Sequence, residues 1–406
     1  MYDLLSGMRV VEAAAFVAGP TCGLYLAQLG AEVIRIDQIG GGPDFRRWPL
    51  APGSSASLYW EGLNKAKKSI AVDLSRPEGR ELAQRIITAP GDNAGLFVTN
   101  YPVAGFLAYE PLRARRDDLI CVRVMGWPDG RPAVDYTVNA AVGVPLMTGP
   151  AGASGPVNHV LPAWDLLTGA YAAFSLVAAE RARRASGEGR EIRLPLSDIA
   201  IATLGHLGQI GEVETHGHDR PRFGNDLFGT FGRDFVTRDD RRLMIVAITA
   251  RQWRGLISVL ELEAAVAALE TELAVDFAAD EGARFVHRGR LTPLIEGAIA
   301  ARAAADLTAA FEAKAVCWGP YRTLKEALDG DAYFSMANPV LSPIDHPSGH
   351  RYPAAGFAGT SPADERRPPR AAPTLGRDTD EVLAEVLGLT GSEIGRLHDQ
   401  GLVAGA

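Results

Sequence analysis

The first 40 residues alternate between strand-like and helix-like patterns, and this alternation limits the possible fold more than any other feature. Residues 8–12 form a short apolar run, residues 21–29 carry apolar side chains at helical spacing, and residues 31–37 alternate apolar and charged side chains. The helical segment follows a Gly-Pro pair and stops at Gly30, a common type of helix end. This order predicts a βαβ unit, so we expect a parallel sheet covered by helices.

The rest of the chain divides into regions of different character. A large domain is predicted over residues 1–215, where strand-like and helix-like runs keep alternating. Residues 216–232 are rich in Gly, Arg and aromatic residues and predict a linker, and residues 233–335 predict a smaller α+β domain. A Pro-rich return linker is expected over residues 336–376, and residues 377–406 predict a helical part of the large domain.

Charge and cysteine content exclude several classes of function. The chain has 41 Lys and Arg against 49 Asp and Glu, which weighs against a nucleic-acid partner because phosphate binding needs a clustered basic surface. Its three cysteines form no CxxC pair, so we expect no disulfide framework and no metal site. The apolar stretch 13–29 lacks a basic leader and contains Gly-Pro, so we expect no signal peptide, no membrane partner and a cytoplasmic location.

A dinucleotide site is a natural hypothesis for such a βαβ start, since Asp37 closes the second strand where an acid often holds a ribose. The turn after the first strand, residues 15–20, reads AFVAGP and lacks the GxGxxG fingerprint of such sites. A nicotinamide cofactor is therefore not expected.

Asp165 is the acid with the most distinctive surroundings. It lies between an apolar stretch and the start of a long, mostly apolar helical run. Asp is a preferred helix N-cap, worth about 1 kcal/mol, and the pattern alone favours this structural role. A carboxylate fixed at a helix start among apolar groups also has the charge and poor solvation that a carboxylate nucleophile needs. The pattern leaves both interpretations open.

Basic residues cluster early in this acidic chain, near turns rather than on a helix face. They are Arg35, Arg46, Arg47, Lys65, Lys67 and Lys68. Such a run usually forms a solvated surface, and the alternative is a cradle for phosphate groups.

Seven short segments, in their order along the chain, resemble the family III CoA-transferases. They are residues 5–12 (LSGMRVVE), 18–20 (AGP), 29–36 (LGAEVIRI), 64–74 (NKAKKSIAVDL), 100–101 (NY), 165–169 (DLLTG) and 375–383 (LGRDTDEVL). The resemblance therefore extends over essentially the whole chain. It implies an α/β fold with a Rossmann-like large domain built from both chain ends, a smaller inserted α+β domain, and an interlocked homodimer.

Four further segments resemble those members of the family that move CoA within one substrate molecule. They are residues 39–49, 135–139, 157–165 and 231–235. The implied reaction moves CoA from the C1 to the C4 carboxyl of mesaconate through an aspartyl anhydride and an aspartyl-CoA thioester. CoA is then part of the substrate, and no other cofactor and no metal are implied. The resemblance also suggests a place in autotrophic or glyoxylate-assimilating carbon metabolism.

Two other reactions within the family stay open as alternatives. One is transfer of CoA between an acyl-CoA and a free dicarboxylic acid. The other is racemisation of an acyl-CoA, which needs two acid/base groups. Racemase-like relatives place a His about thirty residues before the Asp, whereas residues 135–139 read DYTVN.

The resemblance also implies roles for individual residues. Asp165 occupies the position of the catalytic nucleophile. The residues matched to CoA binding are Phe16, Asp73, Leu74, Arg76, Asn100 and Tyr101. Candidates for the second substrate carboxylate, chosen by proximity to the motifs, are Arg46, Arg47, Asn139 and His159.

Overall fold

The computed structural model describes residues 1–405, so Ala406, which ends the predicted C-terminal region, lies outside the described residues. Within that part of the chain the strands are β1 (Arg9–Ala13), β2 (Glu32–Gln38), β3 (Lys68–Val72), β4 (Leu96–Thr99), β5 (Ile120–Met125), β6 (Arg190–Pro195), β7 (Phe231–Val236), β8 (Arg242–Ala247), β9 (Cys317–Pro320), β10 (Leu341–Asp345), β11 (Arg351–Ala355) and β12 (Val403–Ala404).

The helices connect and cover these strands. They are α1 (Ala18–Gln28), α2 (Leu58–Leu63), α3 (Pro77–Ile87), α4 (Tyr109–Arg113), α5 (Asp135–Ala141), α6 (Val144–Met147), α7 (Ala163–Ser186), α8 (Leu196–His206), α9 (Gln209–His216), α10 (Ala250–Val259), α11 (Glu263–Leu273), α12 (Glu281–Val286), α13 (Arg288–Ala300), α14 (Ala304–Ala313), α15 (Leu324–Gly330), α16 (Thr379–Leu387) and α17 (Gly391–Asp399), with a 3₁₀ turn at Ala332–Phe334. Among residues 1–405, no helix is both long and apolar enough to cross a membrane.

The large sheet has seven strands in the order β12-β3-β2-β1-β4-β5-β6. All neighbouring pairs are parallel except β12 with β3. The order reverses between β1 and β4, which is the topological switch point of a Rossmann-like sheet. Ligands of such sheets bind in the crevice outside the carboxyl ends of the strands at that point. The predicted α/β class is confirmed.

Successive residues of the central strands point to opposite faces of the sheet, and both faces are buried. Val11 and Phe97 pack with α3, α16 and α17 on one face. Val10 and Val98 pack with α1 and α7 on the other. Burial on both faces explains why these strands read as nearly continuous apolar runs.

The chain forms two compact units. The first comprises Met1–Val142, His159–Thr215 and residues 332–405, and holds the large sheet and the antiparallel β10-β11 hairpin. The second comprises Gly143–Asn158 and His216–Asp331, and its three-stranded antiparallel sheet packs with α10 to α14. This division differs from the sequence prediction at residues 143–158, which cluster with the second unit. A hairpin also occupies part of the predicted return linker, since Pro343 and Pro353 face each other in its register.

Gly169 allows α7 to approach α1 closely. A Cβ at this position would lie 2.7 Å from Cβ of Thr21 and 2.8 Å from the carbonyl oxygen of Ala18. We therefore expect Gly169→Ala to destabilise the fold by about 1–3 kcal/mol, because backbone would have to move. Urea unfolding measures the effect.

The matched control is Gly211→Ala on α9, where a Cβ would meet nothing within 4 Å. There Ala is expected to be neutral or to stabilise by up to about 1 kcal/mol, as in an exposed helix. Equal free energies of unfolding for the two variants would contradict the close approach.

Candidate active site

A cavity of about 300 Å³ lies at the carboxyl ends of β1, β4 and β5, beside the switch point. It is lined by residues 15–18, 100–103, 124–126 and 130–134, together with Asp165 and Leu196. Four residues singled out by the sequence, namely Phe16, Asn100, Tyr101 and Asp165, therefore meet at one cavity. They come from three separate parts of the chain.

Asp165 lies in the first turn of α7 and is partly exposed to the cavity. The N-cap interpretation of Asp165 is wrong, because α7 begins at Ala163 and Pro162 occupies the N-cap position. Burial and the negative charge of Asp135 raise the pKa of Asp165 to about 7, although the cation of Arg47 acts in the opposite direction. The free protein therefore holds Asp165 as a carboxylate that is easily protonated near neutral pH.

The carboxylate that holds the start of α7 comes from α5. Oδ2 of Asp135 accepts hydrogen bonds from the backbone N–H groups of Trp164, at 2.6 Å, and of Asp165, at 3.1 Å. Sequence reasoning missed Asp135. The signal for it was weak, since only its position at the start of a short helical segment thirty residues before Asp165 marked it.

Asn139 and His159, two candidates for the substrate carboxylate, support the same turn. Asn139 is fully buried, and its Oδ1 accepts a hydrogen bond from Nε1 of Trp164 at 3.1 Å. His159 lies with Nε2 2.6 Å from Oδ1 of Asp135, and its ring meets that of Tyr136 edge-on. The structure thus places both side chains around the start of α7.

The two neighbouring arginines have different surroundings. Arg47 holds its guanidinium 5.4 Å from the ring centroids of both Phe16 and Tyr59, and its charge partly offsets the rise in the pKa of Asp165. Arg46 instead lines a second cavity of about 280 Å³ with Trp60 and other residues of the first unit. Arg47 therefore contacts Phe16, which lines the cavity of Asp165, whereas Arg46 lines the second cavity.

Tyr59 is a further residue of this site that the sequence analysis missed. Its hydroxyl is buried and has no hydrogen-bond partner among the described residues. Burial, with a smaller contribution from the nearby Asp165, raises the pKa of Tyr59 to about 12. The hydroxyl therefore remains a neutral donor at physiological pH.

Phe16 has a left-handed backbone conformation, with φ of 69°, which is uncommon for a large side chain. Its N–H donates to Oδ2 of Asp44 at 3.1 Å. The adjoining Ala15 exchanges two backbone hydrogen bonds with the side-chain amide of Asn100, at 3.0 and 3.3 Å. The loop after β1 is thus tied both to the end of β4 and to a buried acid, which fixes Phe16 at the rim of the cavity.

That acid belongs to a buried ionic cluster. Arg35 pairs with Asp37, Asp44 and Glu12 at 2.9–3.3 Å. Lys67 donates to both oxygens of Glu12 and to the carbonyl oxygen at the start of α1. A buried charge needs such pairing because leaving it unpaired is costly.

The predicted basic surface or phosphate cradle is therefore wrong for Arg35 and Lys67, which are buried in that cluster. Lys65 is also buried and donates to the carbonyl oxygen of Gly62. Lys68 forms ion pairs with three acids at 2.7–3.3 Å, which are Glu32, Glu381 and Glu385. Arg35, Lys67 and Lys68 thus pair with acids of the first unit, and Lys65 binds a backbone carbonyl oxygen.

Three residues matched to CoA binding lie outside this cavity. Asp73 and Leu74 directly follow β3 at the same edge of the sheet, two strands away from β1. Leu74 is buried in the core, whereas Asp73 bonds the adjoining Ser75. Arg76 donates to the carbonyl oxygen of Gln400 at 2.8 Å.

The described part of the chain contains no group of three or more His, Cys, Asp or Glu side chains that could hold a metal ion.

Comparison with known proteins bears on what this site does. A sequence profile of CoA-transferase family III matches residues 5–379. The chain is 48% identical over 405 residues to 2-methylfumaryl-CoA isomerase of Chloroflexus aurantiacus, covering 100% of this chain and 99% of that protein. It is 27% identical to succinyl-CoA–D-citramalate CoA-transferase of the same organism, covering 97% and 96% of the two chains.

Among solved structures, a CaiB/BaiF family protein from Brucella suis superposes with a TM-score of 0.76. The match covers 95% of this chain and 100% of that chain at 24% identity, so it supports the fold alone. The resemblance seen in the sequence is thereby confirmed at the level of the family. The chain belongs to CoA-transferase family III and is an enzyme.

Proposed function

We propose that this enzyme converts mesaconyl-C1-CoA into mesaconyl-C4-CoA without an external acid. Mesaconate is 2-methylfumarate, so the reaction is the one named for the Chloroflexus aurantiacus relative. The observation that carries the proposal is the placement of Asp165, a poorly solvated carboxylate, in the cavity beside Phe16, Asn100 and Tyr101.

The first half of the reaction transfers the acyl group to the protein. A carboxylate oxygen of Asp165 attacks the thioester carbonyl, the carbon–sulfur bond breaks, and CoA leaves as its thiolate. The product is a mixed anhydride between Asp165 and the C1 carboxyl of mesaconate. The thiolate then attacks the aspartyl carbonyl, which gives an aspartyl-CoA thioester and free mesaconate held in the site.

The second half repeats these steps with the other end of the same molecule. The C4 carboxylate attacks the aspartyl thioester, and the released thiolate attacks the C4 carbonyl of the new anhydride, which restores Asp165. The two carboxyl groups of mesaconate are trans, so they cannot close a five-membered cyclic anhydride. A covalent relay through Asp165 avoids that geometric block.

Arg47 and Tyr59 are the side chains we assign to the carboxylate that is not reacting. A guanidinium binds a carboxylate through charge-assisted hydrogen bonds, and the free hydroxyl of Tyr59 supplies another donor. Holding this carboxylate keeps mesaconate in the site while it turns end for end. His159 and Asn139 are assigned to supporting the first turn of α7, and Arg46 to the other cavity.

The CoA chain is assigned to the switch-point edge of the sheet. Phe16, Asn100 and Tyr101 line the cavity next to Asp165 and suit the end of CoA that carries the thioester. Asp73 and Arg76 follow β3, which lies about 10 Å from β1 at the usual strand spacing. Their position suits the nucleotide end of CoA. Leu74, being buried, contributes to the core beneath that end.

Incubation with mesaconyl-C1-CoA alone tests the proposal, with products separated by chromatography. We expect complete equilibration with mesaconyl-C4-CoA, and no isotope in the product when ¹³C-labelled free mesaconate is added. A strict dependence on an added dicarboxylic acid would instead support transfer between two molecules. Failure to convert mesaconyl-C1-CoA under either condition would exclude it as the substrate.

The pH dependence of the reaction follows from the pKa of Asp165. Asp165 must be ionised to attack, and its pKa lies near 7 rather than near the ordinary value of 3.8. Below about pH 7, kcat/KM should therefore fall about tenfold per pH unit. Initial rates between about pH 5 and pH 9 measure this fall in kcat/KM, and circular dichroism checks that the fold persists. A flat profile down to pH 5 would contradict the assignment.

We also propose that the enzyme is a homodimer. Helices α7 to α9 expose several large apolar side chains, more than a monomer of this size needs to leave in water. They are Tyr171, Phe174, Ile201, Leu207 and Ile210. Sedimentation velocity at micromolar concentration should give twice the mass of the chain, and a concentration-independent monomer would refute the proposal.

A further inference from the structure

Asp135 places a second carboxylate beside the proposed nucleophile. Its Oδ2 lies 3.1 Å from the amide nitrogen of Asp165, and its side chain is 1% exposed. A neutral Asn or Ser side chain caps a helix about as well as Asp does. Capping alone therefore does not explain why a charged group stands where it repels the charge on Asp165.

Charged and titratable groups approach this pair from several elements. They are Arg47 after β2, Tyr59 on α2, Tyr136 on α5, and His159 before α7. Arg47 opposes the effect of Asp135 on the pKa of Asp165, and the raised pKa of Tyr59 keeps its hydroxyl neutral. His159 Nε2 lies 2.6 Å from Oδ1 of Asp135, on the oxygen that does not hold α7. Asp135 is thus held by α7 through one oxygen and by an imidazole through the other.

We propose that Asp135 is a positioning residue that anchors the first turn of α7 and, through its charge, destabilises the free carboxylate of Asp165 relative to the acylated side chain. This inference rests on the proposed function, in which Asp165 carries an acyl group. The anchoring of α7 by Asp135 follows from the hydrogen bonds alone. The effect of the Asp135 charge on Asp165 needs an experiment.

The charge balance of acylation gives the physical reason. When an oxygen of Asp165 bonds to the acyl carbon, the carbon–sulfur bond breaks and the negative charge leaves on the CoA sulfur. The anhydride and the aspartyl-CoA thioester at Asp165 are both neutral. Repulsion from Asp135 therefore acts on the free enzyme and is absent from both covalent intermediates. The charge of Asp135 thus favours the covalent states, and it also makes the free carboxylate of Asp165 more basic.

The experiment compares the wild-type enzyme with Asp135→Asn and Asp135→Ser, two caps without charge. The pH dependence of Asp165 is read by carbodiimide coupling to glycine ethyl ester, which needs the protonated acid, followed by peptide mass spectrometry. This readout requires no CoA substrate, so its result is independent of whether mesaconyl-C1-CoA is turned over. The matched control is Asp117→Asn, which removes an exposed charge elsewhere in the same unit.

We expect the midpoint of Asp165 labelling to fall by at least about one pH unit in Asp135→Asn and Asp135→Ser, and to stay unchanged in Asp117→Asn. With mesaconyl-C1-CoA, the rate of conversion by Asp135→Asn and Asp135→Ser should be about 3–10-fold lower than that of the wild type at pH 8. This difference in rate should shrink as the pH falls. A loss of packing alone would slow the reaction equally at every pH.

Two results would overturn the inference. One is a labelling midpoint identical to the wild type in either folded uncharged variant. The other is failure of both variants to fold, since the carboxylate would then be a structural requirement. If labelling shifts while neither the wild type nor the variants convert mesaconyl-C1-CoA, the electrostatic effect of Asp135 stands and only the proposed function fails.

Discussion

Replacing Asp165 with Ala should lower the rate of CoA transfer by about 10⁴-fold or more, because the proposed mechanism passes the acyl group through this side chain. The fold should persist, since the backbone N–H of residue 165 still donates to Asp135 and the side chain is only partly buried. Chromatography of the CoA esters measures the rate. Hydroxylamine trapping with peptide mass spectrometry should find an adduct at Asp165 in the wild type and none in the variant.

The matched control is Asp117→Ala, which removes an exposed acid that precedes β5, at the end of this strand opposite the cavity. Its activity should stay within about threefold of the wild type, as expected for a surface change without a catalytic role. Activity of Asp165→Ala within tenfold of the wild type would refute the covalent mechanism. Asp165→Asn is a poorer test because slow deamidation would restore the nucleophile.

The second large effect is expected from Arg47→Met, with a loss of about 10²-fold in kcat/KM. Met keeps the length and apolar contact of the side chain against Phe16 and Tyr59 but removes the cation that would hold the second carboxylate. Removing this cation should also raise the pKa of Asp165 further, so the acid limb of the rate profile should move to higher pH. Steady-state kinetics across the pH range measures both effects.

Arg46→Met is the control, because it makes the same change at the adjacent residue, which lines a different cavity. We expect kcat/KM within about threefold of the wild type for this variant. Equal losses in the two variants would show that a general change of charge, rather than contact with substrate, explains the effect of Arg47.

Local sequence patterns predicted much of the fold. The strand, helix and strand within residues 8–37 became β1, α1 and β2, because the period of apolar side chains sets which backbone form buries them. Asp165 stood out for a local reason too, as an acid at the start of an apolar helix. The α/β class and the residue that we propose as the nucleophile could therefore be predicted before any tertiary contact was known.

Tertiary contacts decided the rest of the site. Lys67 and Glu12 are 55 residues apart, so no local pattern could indicate that the lysine is buried and paired rather than exposed. The same holds for Asp135, whose role depends on backbone groups thirty residues later. Whether a charge is solvated or buried depends on which groups the fold brings within hydrogen-bond distance.

Arg46 and Arg47 also show that tertiary contacts decide the surroundings of a charge, even for two adjacent residues. They are identical in type and adjacent in sequence, yet one lines the second cavity and the other lies between Phe16 and Tyr59. The sequence alone determined the elements and, through the family resemblance, the residue that we propose carries the acyl group. The tertiary structure determined which charges surround that residue, because electrostatic effects depend on distances between atoms that the order of residues does not specify.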